Sequence, residues 1–245
     1  MTINVVCPYW NAGEWIGRAL DSIAMQTLVP DKVVVADDAS TDSSEEIGRH
    51  RCAGPRWFGR DWTYRRNETN LGKALNLKLA IASMELGPED VVMILDGDDF
   101  LPPHALSRIE SIYERPEVWI SYGQYMVWPE RTEQVPASAY PDHVLDNRSF
   151  RNHSIAFNHP LSFRHKLWAA IEDADLQDDA GAWFTGGADF ILMVPMMEMA
   201  GREHLFFNEV PIYWYNAINP LADNLVCAPG RQGTIVRRPM KARLG

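Results

Sequence analysis

Five apolar residues, Val91-Val92-Met93-Ile94-Leu95, run without interruption into Asp96-Gly97-Asp98-Asp99. A run this short with no polar alternation reads as a strand covered on both faces. In open α/β sheets, ligands gather at the carboxyl ends of such strands. Three carboxylates within four residues repel one another unless a cation or a set of donors offsets them, so a divalent metal bound to a phosphate is a natural partner. A solvated Asp-Gly turn is the competing reading of the same residues.

The rest of the chain repeats the pattern. Residues 2–7 predict a buried strand, and Asn11 with Glu14 three residues on predicts a capped helix carrying Trp15, Ile16, Ala19, Leu20 and Ile23. Val33-Val34-Val35-Ala36 predicts a second buried strand, ending in Asp37-Asp38, with Ser40 or Asp42 capping a helix over 43–51. A third strand follows at 62–66, a helix at 72–86 closed by Gly87-Pro88, the strand 91–95, and a helix from Pro102-Pro103 to Tyr113. Residues 118–127 read as one strand bent at Gly123. Periodicity is lost over 128–158, helices are expected at 163–171 and 189–200, and a last strand at 210–215. Alternating strands and helices with short connections predict a mostly parallel central sheet flanked by helices, a Rossmann-like α/β architecture.

The 245 residues suffice for one large α/β domain, and 46% apolar with 23% charged residues is ordinary for a globular protein. A net charge of −10 argues against nonspecific attraction to nucleic acid or anionic membranes. The balance is uneven, because residues 229–245 carry Arg231, Arg237, Arg238, Lys241 and Arg243 and no acid. Such a tail can meet an acidic partner or a membrane surface, and a disordered, solvated end is the favoured reading. Cys7, Cys52 and Cys227 are far apart and form no Cys-x-x-Cys pair, which argues against a disulfide framework or zinc site. No stretch approaches the ~18 apolar residues of a membrane span, and the first residues do not read as a leader, so a cytoplasmic location is expected.

Four segments stand in order along the first hundred residues: Cys7-Pro8-Tyr9-Trp10-Asn11, Asp37-Asp38-Ala39-Ser40-Thr41-Asp42, Asn70-Leu71-Gly72-Lys73-Ala74-Leu75-Asn76 and Asp96-Gly97-Asp98. Together they resemble the family 2 glycosyltransferases of the GT-A fold, with one residue fewer between Ala74 and Asn76 than the family's form. The resemblance continues more loosely to about residue 220, in the manner of small stand-alone members from bacteria or viruses. It implies a single GT-A domain over 1–220, with a nucleotide-sugar-binding part through Asp99, an acceptor-binding part over 100–220, and a basic tail over 221–245.

The resemblance also implies roles. Pro8, Asn11 and Asn70 belong to the donor side, Asp38 accepts from a uracil-type imide, and Asp96 faces the ribose or a water. Asp98 ligates Mn2+ or Mg2+, hard cations suited to oxygen ligands. Lys73, near a helix amino terminus, reaches base or phosphate. The base that deprotonates the acceptor corresponds to Asp189 in Thr185-Gly186-Gly187-Ala188-Asp189-Phe190, with Ala188 where the family has Glu. Helix capping is the structural alternative for Asp189. His153 and His159 flank the loop facing acceptor and diphosphate and rank below the carboxylates. The acidic stretch 172–181 lacks the glycine position and final glutamate of a calcium loop, so it reads as solvated.

The expected activity is therefore inverting, metal-dependent transfer of a hexose-type sugar from a nucleotide-sugar donor to an acceptor hydroxyl. The acceptor is open among a glycan, a protein, a lipid-linked saccharide and a modified nucleobase. A binding protein that has lost the chemistry is the non-enzymatic rival, favoured only by Ala188. A nucleotidyltransferase is disfavoured because residues 8–14 form no glycine-rich basic loop.

Overall fold

The computed structural model describes residues 1–57, 59–130, 132–133, 137–185, 187–220 and 238–244. The apolar runs form neighbouring parallel strands: β1 (Ile3–Tyr9) lies between β2 (Lys32–Asp37) and β4 (Val91–Ile94), and β3 (Asp61–Arg66) extends the sheet beyond β2. Side chains of these strands alternate into two cores, as the pleat requires. Val5, Cys7, Val33, Val35, Met93 and Leu95 face one layer, with Ile16 and Leu20 of α1 (Ile16–Ala24) and Ile109 of α4 (Ala105–Tyr113). Val6, Val34, Ala36, Val92 and Ile94 face the other, with Leu77 and Ile81 of α3 (Lys73–Ala82) and Met193 and Val194 of α7 (Ala188–Ala200). Helix α2 (Ser44–Cys52) returns the chain from β2 to β3.

The second half departs from the expected pattern. Residues 161–164, expected to lead into a helix from Phe163, form β8 (Leu161–Arg164), which inserts antiparallel beside β4. Leu161 and Phe163 face the α3/α7 core, Ser162 bonds the Tyr113 hydroxyl, and only His165–Ala169 is helical (α6). The single strand expected over 118–127 is two, in different sheets: β5 (Ile120–Gly123) beside β8, and β6 (Met126–Trp128) in a small second sheet. The break falls at Gly123, where a Cβ would lie 2.4 Å from the Asn208 carbonyl oxygen. That neighbour belongs to β9 (Leu205–Asn208), which pairs parallel with β5, while β10 (Trp214–Asn216) pairs with β6. These two replace the one strand expected at 210–215. The small sheet ends at β7 (Thr132–Glu133), and α5 (Asp142–Asn147) lies within the aperiodic segment. The seven-stranded order is β3-β2-β1-β4-β8-β5-β9, with β8 the antiparallel member.

Two local expectations also change. Asn11 does not cap α1, whose N-cap is Trp15; its backbone is left-handed (φ 49°). Its Oδ1 accepts from the Thr41 amide and its own N–H donates to Ser40 Oγ, so it ties the tip of β1 to that of β2. The basic tail is not wholly a free end: residues 238–244 pack on the domain. Lys241 Nζ lies 3.0 Å from Glu172 and 2.8 Å from Asp175, Arg238 donates to the carbonyls of Ala174, Asp175 and Gln177, and Arg243 pairs with Glu203. The acids that read as a solvated loop are the acidic partner of this basic segment. Arg231, Arg237 and Cys227 lie outside the described residues. Among the described residues no helix is long and apolar enough to cross a membrane.

The start of β4 is fastened by Asp90, whose carboxylate accepts from the amides of Thr2 and Gly87, each at 2.8 Å. Burial alone would raise its pKa; those amide bonds outweigh burial and hold it below the ordinary aspartate value. A carboxylate depressed in the folded state stabilises above its unfolded pKa, and that contribution fades as pH falls through the folded pKa. Asp90→Ala is expected to cost about 1–2 kcal/mol near neutral pH. Urea unfolding should show the gap to the parent closing as pH falls through and below the ordinary aspartate range. A gap that does not change with pH would show that the carboxylate charge contributes nothing.

Candidate functional site

The carboxyl ends of β1, β2 and β4 share one edge of the sheet, and their tips are stitched together by the backbone. The Pro8 carbonyl accepts from Gly97 N–H at 3.1 Å, and the Asp38 amide donates to the Tyr9 carbonyl at 2.9 Å. Asp37 is fully buried and structural: it accepts from the Ser40 amide and the Tyr64 hydroxyl, and Arg66 lies 3.3 Å away. Asp38 reaches across to the start of α3. Its Oδ1 accepts from Leu71 N–H and Asn67 Nδ2, and its Oδ2 from Gly72 N–H at 2.8 Å. Asn67 in turn donates to Asn76 Oδ1, and Asn76 to the Ala36 carbonyl, so a buried polar chain joins β2 to α3. Asn70 is exposed, its Oδ1 3.2 Å from the Gly72 amide.

Gly72 is needed at this junction. Its φ is +81°, and a Cβ would lie 2.8 Å from Thr185 Cα, so only glycine lets α3 approach the segment before α7 this closely. That approach brings Lys73 and Asp189 together across 116 positions. Lys73 Nζ donates to Asp96 at 2.8 Å and to Asp189 Oδ1 at 3.0 Å. His159, buried at the end of the aperiodic segment, lies with Nε2 3.6 Å from Asp96 and 3.4 Å from Asp189. Burial alone would raise the Asp189 pKa; the Lys73 ammonium and the His159 imidazole overcome it and hold the carboxyl well below the usual range. For His159, burial acts downward and the Asp189 hydrogen bond and charge act upward more strongly, so its pKa is raised.

Tyr213 braces the other side. Its ring stacks on His159 with centroids 4.5 Å apart, and its hydroxyl donates to Asp99 Oδ2 at 2.7 Å while accepting from Asp96 N–H at 3.2 Å. Asp99 also accepts from Asn216 N–H at 2.7 Å; burial, then the charges of Asp98 and Asp96, push its pKa well up. Asp98 accepts from Asn219 Nδ2 at 2.7 Å, and burial with the Asp96 charge raises its pKa too. Both shifts come first from burial and then from neighbouring carboxylate charge.

This edge suits a hard cation. Asp96, His159 and Asp189 each present one ligand atom, all within 4.8 Å of one another, and a cation, the Lys73 ammonium, already sits between the two carboxylates. Asp98, the residue singled out as ligand from sequence, stands two positions along the same tip and outside that trio. The structure therefore gathers Lys73, Asp96 and Asp189, keeps Asp98 beside them, and places Pro8, Asn11, Asp38 and Asn70 in the adjoining β1–β2–α3 junction. His159 joins the centre, whereas His153 meets Tyr140 and His143 edge-on. Asn219 carries no motif, the Asp-Gly-Asp-Asp run announced Asp99, and Tyr213 falls in the strand expected at 210–215.

The model of glycosyl transferase family 2 matches residues 4–168. An uncharacterized glycosyltransferase of Nostoc sp. is 30% identical over 119 residues, covering 48% of this chain and 34% of the relative. Among solved structures, S. aureus TarS in complex with UDP-GlcNAc superposes with a TM-score of 0.67 at 18% identity, over 93% of this chain and 61% of that one. A mannosyltransferase from Pyrobaculum calidifontis in complex with GDP-Man and Mn2+ superposes with a TM-score of 0.60 at 22% identity, over 91% and 58%. The structural likenesses establish the same fold. The chain spans about a third of the length of the curated relatives it matches.

Tyr213→Phe keeps the ring on His159 but leaves buried Asp99 with the Asn216 amide as its remaining partner named above. An unsatisfied buried carboxylate should lower stability by about 1–3 kcal/mol. Urea unfolding at neutral pH measures this, and a loss under about 0.5 kcal/mol would show that the hydroxyl is not what satisfies Asp99.

Proposed function

The chain belongs to glycosyl transferase family 2, and from that premise we propose that it moves a hexose from a nucleotide-sugar donor, UDP-hexose, to an acceptor hydroxyl with inversion at the anomeric carbon. The observation that carries the reading is the Lys73-bridged pair of Asp96 and Asp189, with His159, at the carboxyl edge of the parallel strands. A nucleotide sugar needs its diphosphate neutralised and its anomeric carbon open to attack, and this edge offers cationic and anionic groups in contact.

Asp38 reads the base in this proposal. Its Oδ2 holds one amide donor, leaving a lone pair for an imide N–H, as uracil presents. Pro8, Asn11 and Asn70 shape the pocket around the nucleoside, and Asp96 faces the ribose. Asp98 would hold Mn2+ or Mg2+, with Asp96 and His159 as neighbouring donors. The bound metal would neutralise the leaving diphosphate.

Asp189 is the base. The acceptor oxygen attacks the anomeric carbon, the bond to the diphosphate oxygen breaks with its electron pair on the diphosphate, and Asp189 takes the acceptor proton. Beside Lys73 and His159 that carboxylate is a weak base. Transfer of the Lys73 ammonium to the donor's phosphates removes the strongest stabiliser of the anion and raises its basicity. Lys73 thereby couples donor binding to activation of the acceptor.

Calorimetric titration with UDP, with and without Mn2+ and with GDP as control, tests the donor site. Metal-dependent UDP binding, weakened at least about tenfold in Asp98→Ala, is expected. Asp189→Asn should bind UDP within about threefold of the parent while losing about 10²–10⁴-fold in transfer. Failure to bind either nucleotide would sink the donor assignment. Transfer unaffected by Asp189→Asn would remove that residue as base, and a chain that binds donor but never transfers it would favour the binding-protein reading that Ala188 raises.

A further inference from the structure

Asn67, the residue after β3, belongs to none of the four sequence motifs, yet its side chain is the hub between Asp38, Arg65 and Asn76. It is buried. Its Nδ2 donates to Asp38 Oδ1 at 2.8 Å and to Asn76 Oδ1 at 2.9 Å, while its Oδ1 accepts from Arg65 Nη2 at 3.1 Å. Its backbone N–H donates to the Asp37 carbonyl at 2.9 Å, which holds the residue against the tip of β2.

A side-chain amide can be turned end for end, and its direction follows from the groups around it. Here both ends of the relay are one-way. Asn76 Nδ2 donates to the Ala36 carbonyl, which only accepts, so Asn76 turns its oxygen to Asn67. The Arg65 guanidinium only donates, so it meets the Asn67 oxygen. Each constraint independently turns the Asn67 NH2 group toward Asp38. The amides of Leu71 and Gly72 donate to the same carboxylate, so Oδ1 receives two donors and Oδ2 one. None of the three groups accepts, and the spare acceptor capacity lies on Oδ2.

We propose that Asn67 is a positioning residue that sets the class of donor base: it holds the acceptor side of residue 38 toward the nucleotide. This rests on the transfer reading above, in which Asp38 reads the base. Uracil and guanine present a ring N–H to such an acceptor, whereas cytosine and adenine present a ring lone pair, which the carboxylate repels. UDP and CDP are the sharpest comparison, because ribose, diphosphate and ring size are shared and the difference lies at N3 and the C4 substituent. The 4-amino group of cytosine takes the place of the imide only if the base slides relative to a ribose and diphosphate held elsewhere on the edge.

The test is calorimetric titration of the full chain with UDP and with CDP in Mn2+, read as the ratio of the two affinities. The parent should favour UDP at least about tenfold, since a site built to accept a hydrogen bond rejects the analogue that lacks the donor. In Asp38→Asn the two donors at the Oδ1 position draw the amide oxygen inward and leave NH2 facing the base, so the preference should pass to CDP. Adding Asn67→Asp to that variant turns the partner from donor to acceptor, draws the NH2 inward, and should return at least part of the UDP preference. A merely structural role for Asn67 would give no such return. Should the double variant fail to fold, Asn67→Leu in the Asp38→Asn chain removes one of the two inward donors and should shrink the CDP preference at least about threefold. UDP and CDP bound alike by the parent, a ratio unchanged by Asp38→Asn, or a ratio indifferent to the substitutions at Asn67 overturns the proposal while the donor site stands. A parent chain that binds no nucleotide overturns the donor reading and this inference with it.

Discussion

Six carboxylates, Asp37, Asp38, Asp96, Asp98, Asp99 and Asp189, belong to the same edge of the sheet, and the local architecture follows from how their charge is answered. They are met in different ways, and Asp98 by the Asn219 amide group. Asp37 is held by a hydroxyl, an amide and Arg66, and Asp38 by backbone amides at the start of α3 and by Asn67. Asp99 is held by Tyr213 and the Asn216 amide, and Asp96 and Asp189 share one ammonium. Backbone amides and hydroxyls are fixed dipoles that need no counter-ion, so they suit acids that build the site. The ammonium sits on a flexible stem and can move, which suits the acids assigned to the donor and the acceptor in the proposed transfer.

That division explains why part of the site was legible in the sequence. The carboxylates and Lys73 lie at ends of apolar runs or helix starts, where the strand and helix periods mark the positions directly. His159 and Tyr213 do not. His159 ends an aperiodic segment and reaches the centre because β8 turns antiparallel into the sheet beside β4. Tyr213 reaches it because the chain passes from β9 in the large sheet to β10 in the small one. Both placements are consequences of tertiary pairing, which no local pattern encodes.

The fold divides the same way. Strands β1, β2 and β4 are covered on both faces and show as unbroken apolar runs, so their existence could be read. Strand β8 is four residues, Leu-Ser-Phe-Arg, too short to separate its alternation from the helical positions that follow in α6. The break at Gly123 is set by the Asn208 carbonyl on a strand more than eighty positions away. Charge runs were misread for a related reason: the acids at 172–179 and the cations at 238–243 each look solvated alone. Glu198 joins them to the interior, forming a buried forked pair with Arg151 at 2.6 and 2.7 Å and accepting from the Lys241 amide. Removing one partner of such a pair strands a buried charge, so its strength lies in completeness rather than in net attraction.

The two cations nearest the acidic tip show what compensation leaves over. Lys73 is saturated by acids and spends its charge inside the site, so it becomes available to a ligand only by letting go of Asp189. Arg18 faces the tip from the other side of the sheet, where aromatic rings fix its orientation and leave buried N–H groups without acceptors. Buried N–H groups without acceptors cost free energy, which the ring faces around the guanidinium offset in part. The ring stack through Phe100 and Trp214 ties that guanidinium to the strand tip itself. Phe100 follows Asp99 directly, and Trp214 follows Tyr213, so the residues that brace the acids of the strand tip and those that hold Arg18 are chain neighbours.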